Sequence, residues 1–348
     1  MSAAATWSDL LTTLVARHDL TAEQTAWAMD EIMGGEASPI RVAGFLVALR
    51  SKGETVQELT GLADSMLSHA VRIDVPGRSV DIVGTGGDRA HTVNISTMAA
   101  LVVAGTGLRV VKHGNRAASS SSGSADVLEQ LGIRLDHPPE RVAALAHEVG
   151  ITFCYAQVFH PSMRHAAAAR AGLGIGTVFN FLGPLTNPAQ PQSAAIGVAD
   201  LRMAPLLAGV LAGRGTDALV FRGEDGLDEI APTGPTRIWE VRGGDVHEQV
   251  VDWSAELGVE PIELEQLRGA DAAHNAGVAR RLLDGEQGPV RETVVLNAAA
   301  AIVADGTLSG LDGGSLTDRL LVAADHARRS LDTGAAADVL ARWQQASA

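Results

Sequence analysis

Cysteine is all but absent from this chain. The single Cys154 sits in the apolar run Ile151-Thr152-Phe153-Cys154, so no intramolecular disulfide can form and the thiol reads as buried and inert, as expected in a reducing cytosol. Aromatic residues make up only 3% of the sequence, with one tyrosine, which excludes a platform for stacking bases. Positive charge is scarce too. Lysine and arginine number 27 against 41 acids, a net charge of −14, and a protein that coats nucleic acid needs the opposite balance. No apolar run approaches the ~20 residues of a membrane span. Residues Met1–Asp9 carry neither the basic start nor the apolar stretch of a signal peptide. No Ser–His–Asp order is compelling, and no Cys/His spacing suggests zinc. What remains is a soluble, cytoplasmic protein with no membrane or nucleic-acid partner. Its 348 residues, 46% of them hydrophobic, predict a sizeable core and two domains.

One further absence is local. No Asp or Glu occurs between Arg89 and Ala125, although Arg89, Arg109, Lys112 and Arg116 all fall there. A basic window in an acidic chain points to a focused anion site. At its centre, directly after the apolar run Leu108–Val111, stands Lys112-His113-Gly114-Asn115-Arg116-Ala117-Ala118-Ser119-Ser120-Ser121-Ser122-Gly123-Ser124-Ala125-Asp126. Small residues let the backbone approach a phosphate. Hydroxyls and N–H groups donate to its oxygens, and lysine and arginine neutralise it.

The first 70 residues read as helices only. Trp7, Leu10, Leu11, Leu14 and Val15 follow helical spacing. Thr21 with Gln24 predicts a capping box before a second helix, which Gly34-Gly35 stops. Ser38-Pro39 opens a third helix, and Thr55 with Glu58 opens a fourth that ends near Ala70. These helices are apolar beyond one face, at Val42, Phe45, Leu46 and Leu49. Docking within the chain and self-association both remain open. From Val80 the texture changes to short apolar strands at Val80–Val83, Leu108–Val111, Ile151–Cys154, Ala194–Val198 and Ala218–Phe221, separated by helical segments such as 96–104, 126–131, 162–171 and 203–211. That alternation predicts a largely parallel sheet with covered faces. From Gly277 the chain returns to helices rich in Ala and Leu. Pro76-Gly77 marks the domain boundary.

Gly84-Thr85-Gly86-Gly87-Asp88 follows a strand and precedes a helix, where open α/β sheets bind ligands. It is neither a dinucleotide fingerprint, since Arg89 holds the sixth position, nor a Walker loop. Alone it is equally well a tight turn without a ligand. Asn94-Ile95-Ser96-Thr97 opens the next helix. Asn94 or Ser96 suits an N-cap, and the same helix start suits a phosphate. Ser124 and Asp126 suit caps of a later helix. Asp228 and Glu229, in Asp225-Gly226-Leu227-Asp228-Glu229 after the strand Ala218–Phe221, suit Mg²⁺, which takes carboxylates together with substrate phosphates. An acidic surface turn is the bland reading of that pentapeptide alone. Arg170 lies among Ala166–Ala169, where an arginine ordinarily snorkels to solvent.

Taken together these motifs resemble one family, the anthranilate phosphoribosyltransferases of tryptophan biosynthesis. The resemblance rests on Asp81–Asp88, Asn94–Thr97, Lys112–Asp126, Phe179-Asn180 with Leu182–Pro188, and Gly226–Glu229, in that order. It implies a small helical domain over residues 1–72, with a contribution from 162–176, beside an α/β domain over 73–348, like that of the nucleoside phosphorylases. It implies a homodimer formed through the helical domain. It also implies transfer of the phosphoribosyl group from 5-phosphoribosyl diphosphate to the amino group of anthranilate, giving N-(5-phosphoribosyl)anthranilate and diphosphate, with Mg²⁺. By resemblance, Gly84, Gly87, Asp88, Thr92, Asn94, Ile95, Ser96, Thr97, Lys112, His113, Gly114, Asn115, Arg116, Ala117, Ala118, Ser119, Ser120 and Ser124 hold the diphosphate substrate. Gly84, Asn115 and Arg170 contact anthranilate, and Ser96, Asp228 and Glu229 hold magnesium. No residue is assigned as acid or base. Arg89 stands where the family often has Gly, and Gly172 and Gly176 stand where Glu and Arg are common. A pyrimidine nucleoside phosphorylase and a non-catalytic nucleic-acid-binding relative share the fold. The Lys112–Arg116 loop with Asp228-Glu229 argues against the first, and the net charge against the second.

Overall fold

The computed structural model describes residues 6–117 and 121–348, so Ala118, Ser119 and Ser120 of the serine-rich loop lie outside the described residues. The chain opens with helices α1 (Trp7–Val15), α2 (Ala22–Gly34), α3 (Pro39–Lys52) and α4 (Val56–Ser68). Their ends follow the predicted chemistry. Thr21 and Gln24 form a reciprocal capping box, and Gly35 leaves α2 in the left-handed region. Ser38 caps α3 with Pro39 inside its first turn, and Thr55 and Glu58 box α4. The apolar surplus of these helices docks within the chain. Phe45, Leu46, Leu62 and Met66 share one cluster with Ala194, Ile196, Val220 and Trp239 of the sheet. Each fully buried side chain of this size contributes about 1.5–3 kcal/mol. Val15, Ile40 and Val47 on α1 and α3 stay exposed.

α2 and α4 touch at Gly61. A Cβ there would lie 2.0 Å from Ala22 O and 2.3 Å from Thr25 Oγ1. Gly61→Ala must push the two helices apart. It is expected to cost roughly 1–3 kcal/mol, read as a lower urea midpoint with an unchanged slope.

Seven strands form one sheet: β1 (Val80–Gly84), β2 (Val110–Gly114), β3 (Ile151–Tyr155), β4 (Ser193–Gly197), β5 (Asp217–Gly223), β6 (Thr236–Arg242) and β7 (Asp245–Val251), in the order β3-β2-β1-β4-β5-β6-β7. The first five pair in parallel, at the five predicted positions within three residues. β6 and β7 are an antiparallel addition beyond the five expected strands. The β-branched and aromatic residues Thr236, Ile238, Trp239 and Val241, followed by the turn glycines Gly243 and Gly244, both at positive φ, are its signal.

Helix α5 (Ile95–Gly105) follows β1. α6 (Ser124–Gln130) and α7 (Pro139–Glu148) lie between β2 and β3, and α8 (Ala156–Phe159) and α9 (Arg164–Leu173) follow β3. α9 packs on α2 and α3, burying Ala166 and Ala169. Helix Ala204–Arg214 joins the helical domain on one face of the sheet. α5 and the C-terminal helices, led by Pro289–Asp305, cover the other. Gly84 at the end of β1 is in register with Gly197 at the end of β4, and β2 flanks β1 on its other side. The chain order reverses at β1, and ligands bind at such switch points, beyond the C-terminal ends of the strands.

Candidate active site

The loop after β1 is tied down by its neighbours. Thr85 N donates to Gly197 O at 2.9 Å, Ala199 N donates to Thr85 Oγ1 at 3.2 Å, and Gly86 N donates to Asp228 Oδ2 at 2.6 Å. Next to Ala199, Asp200 pairs with Arg50 of α3, so the helical domain is fastened to the same corner. Gly84 and Gly197 leave room for Asp228: a Cβ on Gly84 would lie 2.4 Å from Asp228 Oδ2, and one on Gly197 1.6 Å from Asp228 O and 3.2 Å from Phe221 Cε2. Gly86, Gly87, Arg89 and His91 all have positive φ. Arg89, where the resemblance expects glycine, adopts a backbone conformation that glycine favours.

Acids gather at this loop. Asp228 is buried. Burial, and then the neighbouring Asp88 carboxylate, pushes its pKa up to about 7. Burial and the Asp228 charge hold the Glu229 carboxyl well above the usual range. The Asp88 charge also opposes ionisation of Glu229. Among the described residues no group of three or more His, Cys, Asp or Glu is placed to hold a metal by itself. Asp228, Glu229 and the Ser96 hydroxyl therefore form an incomplete set of hard oxygen donors. Such a set fits Mg²⁺ completed by substrate oxygens.

Lys112 on β2 is buried. Its ammonium donates to Ile82 O and to Ser96 Oγ at 3.2 Å. Burial lowers its pKa against the opposing pull of Asp81 and Glu229. The ammonium expected to face the diphosphate substrate is thus bonded to β1 and to the first turn of α5. Asp81, buried on β1, accepts from His113 N at 3.1 Å and from Asn187 Nδ2 at 2.9 Å.

The start of α5 differs from the capping expectation. Asn94 holds the N-cap position without a side-chain capping bond. Its Nδ2 donates to Ser122 O at 3.2 Å and its Oδ1 accepts from Asn275 Nδ2 at 2.8 Å. Ile95 and Thr97 are buried, with their N–H groups bonded to Val93 O at 2.7 Å and Asn94 O at 3.1 Å. Thr92 bridges to Arg268.

Arg116 departs furthest from expectation. It donates to Asp126 at 2.8 Å, to both oxygens of Glu129 at 2.7 Å, and to Tyr155 Oη at 2.9 Å. Its guanidinium also lies over the Tyr155 ring, 5.5 Å from the centroid. Asp126 accepts from Ala117 N at 3.1 Å and from Gly123 N at 2.9 Å. Asp126 therefore serves the start of α6, whereas Ser124 does not cap: its hydroxyl donates to Asn115 O at 3.3 Å. Gly114 leaves space for that hydroxyl, since a Cβ there would come within 2.3 Å of Ser124 Oγ.

A cavity of about 560 Å³ opens beside the glycine loop, between α4, α9 and the ends of β1 and β2. Gly84, Asn115 and Arg170 all line it, with Met66, Met163 and Phe179 as apolar walls. Arg170 is half-buried. Its guanidinium sits 5.2 Å from the centroid of the Phe179 ring, and its side chain has no ion-pair or hydrogen-bond partner among the described residues. Burial alone lowers its pKa. It does not snorkel away: it is a desolvated cation on a cavity wall, and it lacks an anion. A Cβ at Gly172 or Gly176 would meet nothing within 4 Å, so side chains there would stand in open space.

His113 and His160 also line this cavity, with ring centroids 5.1 Å apart. His113 Nδ1 bonds to Gly183 O at 3.0 Å and His160 Nε2 to Thr186 O at 2.9 Å. Because a carbonyl only accepts, both nitrogens carry protons and the opposite nitrogens are acceptors. Burial, and then His160, drops the His113 pKa to about 3, and burial drops that of His160 to about 4. Unfolded histidine titrates near ~6.5, so the unfolded chain binds more protons between there and pH ~4, and these groups lose stability as pH falls through that window. His160→Gln is expected to lose less stability than the parent between pH 7 and 5, measured by urea denaturation at both. Sequence reasoning gave no role to Asp81 or Asn187, although both stand in motifs that carry the resemblance, nor to His160 or Asn275, which stand in none.

The comparisons with known proteins agree with this geometry. The family described as "Glycosyl transferase family, a/b domain" matches residues 76–337, and "Glycosyl transferase family, helical bundle domain" matches residues 8–70. The chain is 61% identical over 338 residues to an anthranilate phosphoribosyltransferase of Arthrobacter, covering 97% of this chain and 95% of the relative. It is also 61% identical over 344 residues to one of Nocardioides, covering 99% of both. Among solved structures it is similar to the anthranilate phosphoribosyltransferase of Thermus thermophilus, with a TM-score of 0.89 and 41% identity over 97% of this chain and 99% of that one. It is similar as well to the Saccharomyces cerevisiae enzyme in complex with PRPP and Mg, with a TM-score of 0.87 and 26% identity over 99% and 98% of the two chains. The chain belongs to the anthranilate phosphoribosyltransferases.

Proposed function

We propose that this protein transfers the phosphoribosyl group of 5-phosphoribosyl diphosphate to the amino group of anthranilate, and that the residues described above divide the work. The observation that carries the assignment of residues is Arg170, a half-buried cation without a partner, sharing a cavity with Gly84 and Asn115. A small aromatic carboxylate supplies the missing anion and fits the apolar walls. The adjoining glycine loop, Asn94–Thr97 and the backbone from Lys112 through Ser124 take the diphosphate substrate. Asp228, Glu229 and Ser96 take Mg²⁺, which when bound neutralises the charge that grows on the leaving diphosphate. Lys112 holds the Ser96 hydroxyl in place and offsets part of the acidic charge.

Anthranilate's amine is neutral near pH 7, so the chain need not supply a strong base. Arg170 and Asn115 orient the amine towards the sugar carbon, and the gain comes from placement. His113 stays neutral and shapes the wall. The exposed Val15, Ile40 and Val47 support a homodimer through α1 and α3, and the packing of α9 on α2 and α3 supports counting 162–176 with the helical unit of residues 1–72. A substrate carrying several phosphate charges does not cross membranes unaided, which supports a cytoplasmic site of action. Mixing the protein with phosphoribosyl diphosphate, Mg²⁺ and anthranilate is expected to quench anthranilate fluorescence. Unchanged fluorescence with active substrate stocks refutes the reading.

A further inference from the structure

We propose that Arg116 is a positioning residue and not a phosphate ligand: with Asp126, Glu129 and Tyr155 it braces the phosphate loop against α6 and β3. The inference rests on the reading that the Lys112–Ser124 backbone receives the diphosphate substrate.

Four of the five guanidinium N–H donors are spent on the chain itself. One goes to Tyr155 Oη, one to Asp126 Oδ1 and two to the Glu129 carboxylate. The planar fork of an arginine matches this bidentate pattern, and a lysine cannot reproduce it. Glu129, then Asp126, raises the Arg116 pKa, so the guanidinium stays charged and paired. Its partners come from two elements on either side of the loop: Glu129 lies on α6 and Tyr155 ends β3. Asp126 completes the brace. While one oxygen accepts from Arg116, the other accepts from Ala117 N and Gly123 N, which pins two points of the loop to a single carboxylate. A guanidinium turned outward in this way leaves phosphate recognition to backbone N–H groups and hydroxyls. Their placement then depends on the brace.

The two roles give opposite results for Glu129→Gln. If Arg116 braces the loop, weakening its partner is expected to raise KM for phosphoribosyl diphosphate about threefold, while Arg116→Ala raises it about tenfold. The double variant is then expected to match Arg116→Ala, because both changes remove one interaction. Arg116→Lys is expected to resemble Arg116→Ala despite its charge, and KM for anthranilate and the thermal midpoint are expected to stay near the parent's. A fall in the diphosphate substrate's KM on Glu129→Gln, as from a ligand set free, overturns the proposal. So does full rescue by Arg116→Lys. Calorimetry of phosphoribosyl diphosphate with Mg²⁺ repeats the comparison without turnover. If the parent binds that substrate but does not consume anthranilate, the proposed reaction fails and the brace stands. If the parent binds none, the brace fails with the loop assignment.

Discussion

Replacing Asp228 by Asn and Glu229 by Gln together is expected to lower kcat/KM roughly 100- to 10,000-fold, the several kcal/mol that a metal contributes to a charged leaving group. The two side chains supply the only acidic donors assigned to the metal. With Ser96 they make too few ligands to hold Mg²⁺ without phosphate oxygens. In the parent, metal and diphosphate substrate should each raise the other's affinity by the same factor, and titrating one at fixed levels of the other reads that coupling. The double variant should lose it. Stability should move the other way. Asp228 has a folded pKa of about 7 against ~3.9 unfolded. The folded chain therefore holds extra protons between these values, and stability falls as pH rises from about 4 to about 7. That burden is fully present at pH 8, where the neutral variant is expected to melt at a higher temperature than the parent. A double variant with full Mg²⁺-dependent activity shows that the metal sits elsewhere.

Arg170→Ala is expected to raise KM for anthranilate roughly 10- to 100-fold, matching the roughly 1.5–3 kcal/mol of a charge-assisted hydrogen bond. Affinity for the diphosphate substrate should be unchanged. The folded chain should not suffer, because among the described residues Arg170 forms no ion pair whose loss would strand a buried carboxylate, and its burial already lowers its pKa. Its contact with the Phe179 ring is lost. A specific rise in one KM without a lower thermal midpoint therefore separates a binding role from a packing role. An unchanged anthranilate KM assigns the cavity to something else.

Local chemistry made much of this legible. Capping residues announced the second, third and fourth helices because a cap acts within one turn of chain, and apolar spacing announced the first. The five parallel strands stood out as short apolar runs because both of their faces are covered. The glycine loop, the Lys112 loop and Asp228-Glu229 were visible as motifs, and the fold brings them to one corner. What was not legible depends on partners far apart in the chain. The bonds of the Lys112 ammonium to Ile82 O and Ser96 Oγ span 30 and 16 positions. Asn94 reads as a cap until Asn275, 181 positions away, takes its side-chain oxygen. The Arg116 donors meet Glu129 and Tyr155 only once α6 and β3 are in place. The β6–β7 hairpin has a local signal in its β-branched and aromatic residues and its paired glycines, but its strands lack the continuous apolar run that marks the five before it.

The interlock of Gly84, Gly197 and Asp228 has an evolutionary consequence. Gly84 sits at the tip of a strand, and a methyl group there meets first the Asp228 carboxylate, the free end of a side chain, whereas at Gly197 it would run into the Asp228 backbone. A lineage freed from selection for catalysis can therefore acquire a methyl group at Gly84 and still fold. The first casualty is the acid. In relatives on this scaffold, alanine or serine at the Gly84 position is therefore an early mark of a retired enzyme, readable while every charged residue of the site is still in place.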